Sequence, residues 1–177
     1  MSAKGKLIVI VAHNLYSGGA ATASRRLMEA FSSENFEIET HLVKDTHRIN
    51  KSQFRLPLNR VYSSLISRLD RYVCFLIGVN NEHWSSTGLL GQISAREIER
   101  NSPEFVNIHW IGHATLSFRQ ILKIQSPIII TAHDQWWLNA VSHYSNSKEE
   151  KQFSFLGRFI ARSLLKTKSR ILEKYNI

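Results

Sequence analysis

Cysteine is nearly absent: Cys74 is the single one in 177 residues, so no internal disulfide can close and no cysteine-based zinc site can assemble. A reducing compartment, the cytoplasm, is the expected location. Proline and glycine are scarce too, at three and eight residues, which excludes collagen-like, linker-like and low-complexity chains. No run approaches the roughly 20 apolar residues that span a bilayer; the nearest, from Tyr72 to Val79, falls far short. A signal peptide is not expected either. Lys4 and Lys6 do precede an apolar run, but Leu7 to Ala12 is too short and stops at His13 and Asn14, as a buried strand would.

What is present describes an ordinary folded domain, with 43% hydrophobic and 21% charged residues in a length that suits one core. The net charge of +9 and pI near 9.9 attract phosphates, nucleic acids and anionic membrane surfaces alike. More than half of the excess lies between Lys148 and Ile177, where Lys148, Lys151, Arg158, Arg162, Lys166, Lys168, Arg170 and Lys174 face Glu149, Glu150 and Glu173. No nucleic-acid-binding motif accompanies this charge, so nucleic acid is not an expected partner.

Along the chain, Lys6 to Ala12 reads as a strand covered on both faces. A turn at Gly18 and Gly19 leads into a helix from Ala20 to Phe31, its apolar positions Ala23, Leu27, Ala30 and Phe31 at helical spacing. Phe36 to Val43 alternates as an edge strand does, and Lys44 to Leu58 reads as loop. Tyr62, Leu65, Ile66, Leu69, Tyr72, Val73 and Leu76 mark the buried face of a long helix closed by Gly78. Ser86 is placed to cap a helix running to about Asn101. Phe105–His109 and Ile128–His133 read as short buried strands, each entered through a proline, with a helix from Leu116 to Ile124 between them. The alternation predicts an α/β fold: a Rossmann-like, doubly wound, mostly parallel sheet over residues 1–147, followed by a basic amphipathic helical tail over 148–177.

The segment Ser17, Gly18, Gly19, Ala20, Ala21 joins the first strand to the first helix, where backbone N–H groups can hold a phosphate; a tight turn needing glycine is the alternative. It matches neither a dinucleotide fingerprint nor a Walker A loop. His109, His133 and Asp134 fall where two strands reach the carboxyl edge, suited to binding hydroxyls or phosphate, or else are buried structural histidines. Trp110, Trp136 and Trp137 lie beside them, for sugar stacking or for core packing. His109 and His113 have i, i+4 spacing, but no HExxH glutamate stands between them, so no metal is expected. No serine or cysteine nucleophile arrangement and no spaced carboxylate pair points to a hydrolase. In the tail, Phe155, Leu156, Phe159, Ile160 and Leu164 form one helical face while Arg158, Arg162, Lys166 and Arg170 run along another; the helix either lies on an anionic membrane or packs on the domain.

Taken together, Ser17-Gly18-Gly19-Ala20-Ala21, Asn107-Ile108-His109-Trp110-Ile111 and Thr131-Ala132-His133-Asp134-Gln135-Trp136 resemble the N-terminal domain of glycosyltransferase family 4, of the bacterial polysaccharide-building type, over about Leu7 to Tyr144. The resemblance implies half of a GT-B architecture and a retaining transfer of sugar from a nucleotide-sugar donor to a glycan or lipid-linked acceptor, without metal or other cofactor. It implies that Gly18, Gly19 and Ala20 approach the donor phosphates, that His133 and Asp134 are catalytic residues in contact with the transferred sugar or the acceptor, and that His109, Trp110 and Trp136 line the acceptor edge. Where the family continues with glycines and a cysteine, this chain has Trp137-Leu138-Asn139-Ala140-Val141-Ser142, regaining the pattern at His143-Tyr144. The family's nucleotide-holding second domain would lie beyond Ile177, so the expectation is a truncated or split enzyme, completed by a separate chain and peripheral at the inner membrane face through its tail. The alternative is a non-catalytic scaffold that holds anionic ligands or membrane.

Overall fold

Strand β1 (Leu7–Ala12) is the most deeply buried element, with five of its six residues buried, because its β-branched LIVIVA sequence presents apolar side chains to both faces of a sheet. The structure, a computed structural model, describes residues 6–43, 57–79, 85–143 and 153–176; residues 1–5, 44–56, 80–84, 144–152 and 177 lie outside it. On one side β1 pairs with β2 (Glu37–Leu42), and on the other with β3 (Phe105–Ile108), which in turn pairs with β4 (Ile128–Ile130). All pairings are parallel, in the order β2-β1-β3-β4. The chain is an α/β protein of Rossmann-like arrangement, with helices flanking the sheet. Strand order turns back between β1 and β3, the point beyond whose carboxyl ends parallel α/β sheets place their ligands.

Helix α1 (Gly19–Ser33) returns the chain from β1 to β2. Its buried positions are Ala21 and Ser24, not the expected Ala23 and Ala30; the Ser24 hydroxyl is satisfied by the Ala20 carbonyl at 2.8 Å. Phe31 packs edge-on to Phe36 and Phe105, with ring centroids 5.7 and 5.6 Å away. At the sheet centre Asn107 is buried, and its amide donates to the Ile129 carbonyl and the Thr131 hydroxyl, stitching β3 to β4 beyond the backbone ladder.

Helix α2 (Pro57–Ile77) is closed by Gly78, whose φ of 102° only glycine adopts readily. Its expected inner face is corrected. Asp70, Cys74 and Ile77 point inward, Ile66 and Val73 of the expected face are half-buried, and Tyr62, Leu65, Leu69, Tyr72 and Leu76 face outward. Asp70 decides this rotation: its buried carboxylate accepts from the Ser86 hydroxyl at 2.8 Å, the Thr87 amide at 3.1 Å and the Thr87 hydroxyl. A buried carboxylate without such donors would be strongly disfavoured.

The same bonds explain why Ser86 caps no helix. Residues 85–94 run irregularly through Gly88 and Gly91, where an added Cβ would meet the Phe118 ring and the Ser117 backbone. Helix α3 is therefore only Ala95–Ile98, started by a Ser94–Glu97 capping box. Likewise α4 (Phe118–Ile121) is a single turn capped by Ser117, shorter than expected. Strand β4 ends at Ile130, so His133 and Asp134 sit in the loop beyond it.

Helix α5 (Phe155–Lys174) packs on the domain through Gly157, Ala161, Leu164, Lys168 and Ile171. That stripe keeps Leu164 of the expected face, and Ile160 packs partly on the core, but Phe155, Leu156 and Phe159 are exposed. Leu164 and Ile171 join the same core as Val9, Ile77, Ile108 and Trp136. The Lys168 ammonium is buried against the carbonyls of Trp136, Asn139 and Ala140 and lies 3.8 Å from the centre of the Trp136 ring. Burial pushes its pKa down to about 7, against the pull of Asp134 and Cys74.

Two substitutions test this packing. Lys168→Ala strands three carbonyls, and is expected to lower unfolding free energy by about 3 kcal/mol, whereas Lys166→Ala on the outer face changes it by about 0.5 kcal/mol or less. Gly157→Ala drives a Cβ into the Ile77 carbonyl and is expected to destabilise by about 2 kcal/mol. Urea midpoints read at constant slope check both; a Lys168→Ala midpoint equal to that of Lys166→Ala would refute the anchoring role.

Candidate functional site

Because the strands are parallel, the loops after β1, β3 and β4 emerge on one edge, and they carry an unusual density of imidazoles. His13 follows β1, His109 to His113 follow β3, and His133, Asp134 and His143 follow β4. The His13 amide donates to the Trp110 carbonyl at 3.0 Å, tying the first two loops together. His113 and Ala114 both have positive φ, 54° and 57°, a conformation that side-chain-bearing residues adopt at a cost of roughly 1 kcal/mol each. It turns the loop so that the Thr115 hydroxyl meets His13 Nδ1 at 2.8 Å. The threonine proton goes to the Gly112 carbonyl at 2.7 Å, so His13 carries its proton on Nδ1 and donates it to that oxygen.

His109 and His133 form the centre of the edge. His109 Nδ1 lies 2.9 Å from His133 Nε2, and His109 Nε2 is buried with no hydrogen-bond partner. An orphaned N–H costs more than an orphaned lone pair, so the His109 proton belongs on Nδ1, donated to His133. His133 then bears its own proton on Nδ1, on a half-buried ring. Burial pushes the His109 pKa down to about 4, helped by His133. Burial lowers that of His133 also, with Asp134 opposing. Both imidazoles are neutral near pH 7.

Asp134 is the fixed anion. Its Oδ1 accepts from the Trp136 amide at 2.9 Å, and Oδ2 lies 2.5 Å from His143 Nδ1. Burial opposes ionisation, yet the bonds from His143 and the Trp136 amide, the charge of His143 and the Trp110 indole together lower its pKa. The Trp110 Nε1 is also 3.0 Å from His143 Nδ1, but one nitrogen cannot both donate to Asp134 and accept from the indole. Since Asp134 is ionised, Nδ1 carries the proton, and the indole N–H is directed to the carboxylate. Three donors fill three of its about four acceptor positions.

Of the site residues read from the sequence, the structure brings His109, Trp110, His133 and Asp134 together. His109 is 1% exposed, and its polar contact on this edge is with His133. The acceptor role expected for Trp136 does not fit its position: it is 2% exposed, its indole donates to the Ser86 carbonyl at 2.7 Å, and Phe118 and His143 stack on it. Trp137 is buried as well. Gly18 caps α1 with a φ of 91° and no side-chain cap, and a Cβ at Gly18 or Gly19 would meet nothing within 4 Å. Only Gly18 is therefore required by the backbone; Gly19 borders open space and Ala20 is half-buried. His13, His113 and His143 are additions. Their signal was the placement of His13 and His113 after apolar strands, and the His143-Tyr144 end of the third motif.

No protein-family model, curated protein or solved structure matches this chain. Among the described residues, no group of three or more histidine, cysteine, aspartate or glutamate residues is arranged to hold a metal ion, and no helix is long and apolar enough to cross a membrane.

The depressed His109 pKa has a measurable sign. Between about pH 6.5 and 4 the unfolded chain takes up a proton that the folded chain refuses, so stability falls as pH falls through that window. The His109 contribution between pH 7 and pH 5 is about 2 kcal/mol and is expected to vanish in His109→Asn. Long-range ¹H–¹⁵N spectra should show His109 neutral and protonated at Nδ1 at about pH 6; an imidazole that titrates with the ordinary value would overturn the assignment.

Proposed function

We propose that this chain is the acceptor-side domain of a nucleotide-sugar-dependent glycosyltransferase, of the kind its three motifs resemble. The observation that carries the reading is that those motifs, separated by roughly ninety and twenty residues of sequence, all end on one sheet edge. Gly18-Gly19 follows β1, His109-Trp110 follows β3 and His133-Asp134 follows β4. The edge offers chemistry suited to sugars: a neutral N–H donor on His133 beside a carboxylate with one acceptor position unfilled, the pair that reads vicinal hydroxyls. Neutral imidazoles avoid a desolvated cation beside a neutral glycan.

The lowered pKa of Asp134 makes it a weak base. Its role in this reading is to hold and orient hydroxyls and to stabilise positive charge that develops on a transferred sugar. Trp110, half-buried with its indole N–H directed to Asp134, lies among His13, His113 and His143 on the same edge. The α1 amino end, where Gly18 and Gly19 border open space, faces donor phosphates contributed from a second α/β domain across a cleft.

The test is an NMR titration of the chain with a panel of nucleotide sugars and with lipid-linked oligosaccharide acceptors. Acceptors are expected to shift the Trp110 indole and His133 ring signals, and nucleotide sugars the Gly18 and Gly19 amides. Asp134→Asn is expected to weaken acceptor binding about tenfold, the effect of one charge-assisted hydrogen bond. Saturating acceptor or donor without a shift at any of these positions would sink the reading.

A further inference from the structure

The outer face of α2 is apolar where a surface helix should be polar. Tyr62, Leu65, Leu69, Tyr72 and Leu76 recur at three- and four-residue spacing, and each is between 47% and 57% exposed; Val61 and Phe75 extend the stripe on its other side. The charged residues exposed on this helix among those described are Arg68 and Arg71, while its acid, Asp70, is buried. Helix α5 begins the same way. Phe155 and Phe159 are 87% and 72% exposed, interleaved with Arg158 and Arg162, and Lys166 and Arg170 continue the outer row. Its only acid is Glu173, in the last turn. The two helices touch where Gly157 lies against the Ile77 carbonyl, so the apolar end of α5 adjoins the apolar stripe of α2.

Two properties of this surface choose its occupant. Exposed leucines, tyrosines and phenylalanines need an apolar phase, and six flanking cations with one distant acid need a negative one. A second copy would satisfy the first while setting arginine against arginine. An anionic bilayer satisfies both, taking the apolar side chains below the headgroups and the cations among the phosphates. We propose that the outer face of α2, together with the first turns of α5, is a docking surface that lies in the plane of an anionic lipid membrane. This does not depend on the sugar-transfer reading, and it moves the contact from the basic tail alone to a helix pair in which α2 supplies most of the apolar area.

Flotation of the full chain with vesicles tests the proposal. The protein is expected to float with phosphatidylcholine vesicles containing about one-third phosphatidylglycerol and to stay behind with pure phosphatidylcholine. Raising salt from about 0.1 M to about 1 M, which shortens the Debye length from about 10 Å to about 3 Å, should weaken but not abolish binding. The double variant Arg158→Gln with Arg162→Gln should lose about fivefold in partitioning per cation removed. Leu65→Ser with Leu76→Ser should lose about tenfold or more, with an unchanged circular dichroism spectrum. In the unaltered chain, hydrogen exchange of the α2 amides and of the first α5 turns should slow when anionic vesicles are added. Failure to float with anionic vesicles at low salt would overturn the proposal, as would binding that the leucine pair leaves unchanged. A dimer in light scattering that the leucine pair converts to monomer would assign the face to a second copy instead.

Discussion

The Lys168 ammonium is the constraint on which the shape of the candidate site depends. Taking an ammonium out of water costs several kcal/mol unless its protons find acceptors, and here they find the carbonyls of Trp136, Asn139 and Ala140 while the charge rests on the Trp136 ring. Those carbonyls converge only if residues 135–140 curl, as they do through the bonds from Leu138 and Asn139 amides to the Gln135 carbonyl. The curl in turn brings His143 back to Asp134, with the Gln135 amide donating to the His143 carbonyl. One buried cation on the last helix thereby sets the geometry of a carboxylate more than thirty residues earlier in sequence.

The edge that this loop completes is polar without being strongly charged. Parallel pairing puts the carboxyl ends of β1, β3 and β4 side by side, and burial then keeps His109 and His133 in their neutral forms. Asp134 remains the anion because three groups, His143, the Trp136 amide and the Trp110 indole, stabilise it. Tautomers follow from the same accounting. His109 places its proton toward His133 and leaves a lone pair, not an N–H, unpaired. Such an edge presents neutral N–H donors beside one fixed carboxylate, while the amino end of α1 carries the positive end of a helix dipole.

The outer surface is organised by the opposite logic. Asp70 and Lys168 are the charged groups of α2 and α5 that turn inward, each because the core offers it hydrogen-bond partners. Turning them inward rotates both helices and leaves leucine, tyrosine and phenylalanine outside. The exposed apolar stripe is thus a consequence of two buried polar anchors, and the arginines beside it account for a good part of the net positive charge.

Where interactions are local, residue order was enough. The LIVIVA run, the alternating edge strand, Gly18 at a positive φ, the Gly78 stop and the prolines before β3 and β4 mark a parallel α/β sheet, because strand burial and turn conformation depend on neighbouring residues. The three motifs at strand ends were visible for the same reason. Tertiary structure alone decided which helix faces turned inward, since the apolar periodicity of α2 and α5 pointed one way and the hydrogen-bonding demands of Asp70 and Lys168 pointed another. It also decided that Trp136 is core, that 86–94 is not helical, and that His13, His113 and His143 join the edge. Each of those outcomes rests on a partner distant in sequence: Ser86 for Asp70, the 136–140 carbonyls for Lys168, Thr115 for His13. A local pattern carries no information about which buried polar group will find its partner, and that pairing outweighs the gain from burying a few more apolar side chains.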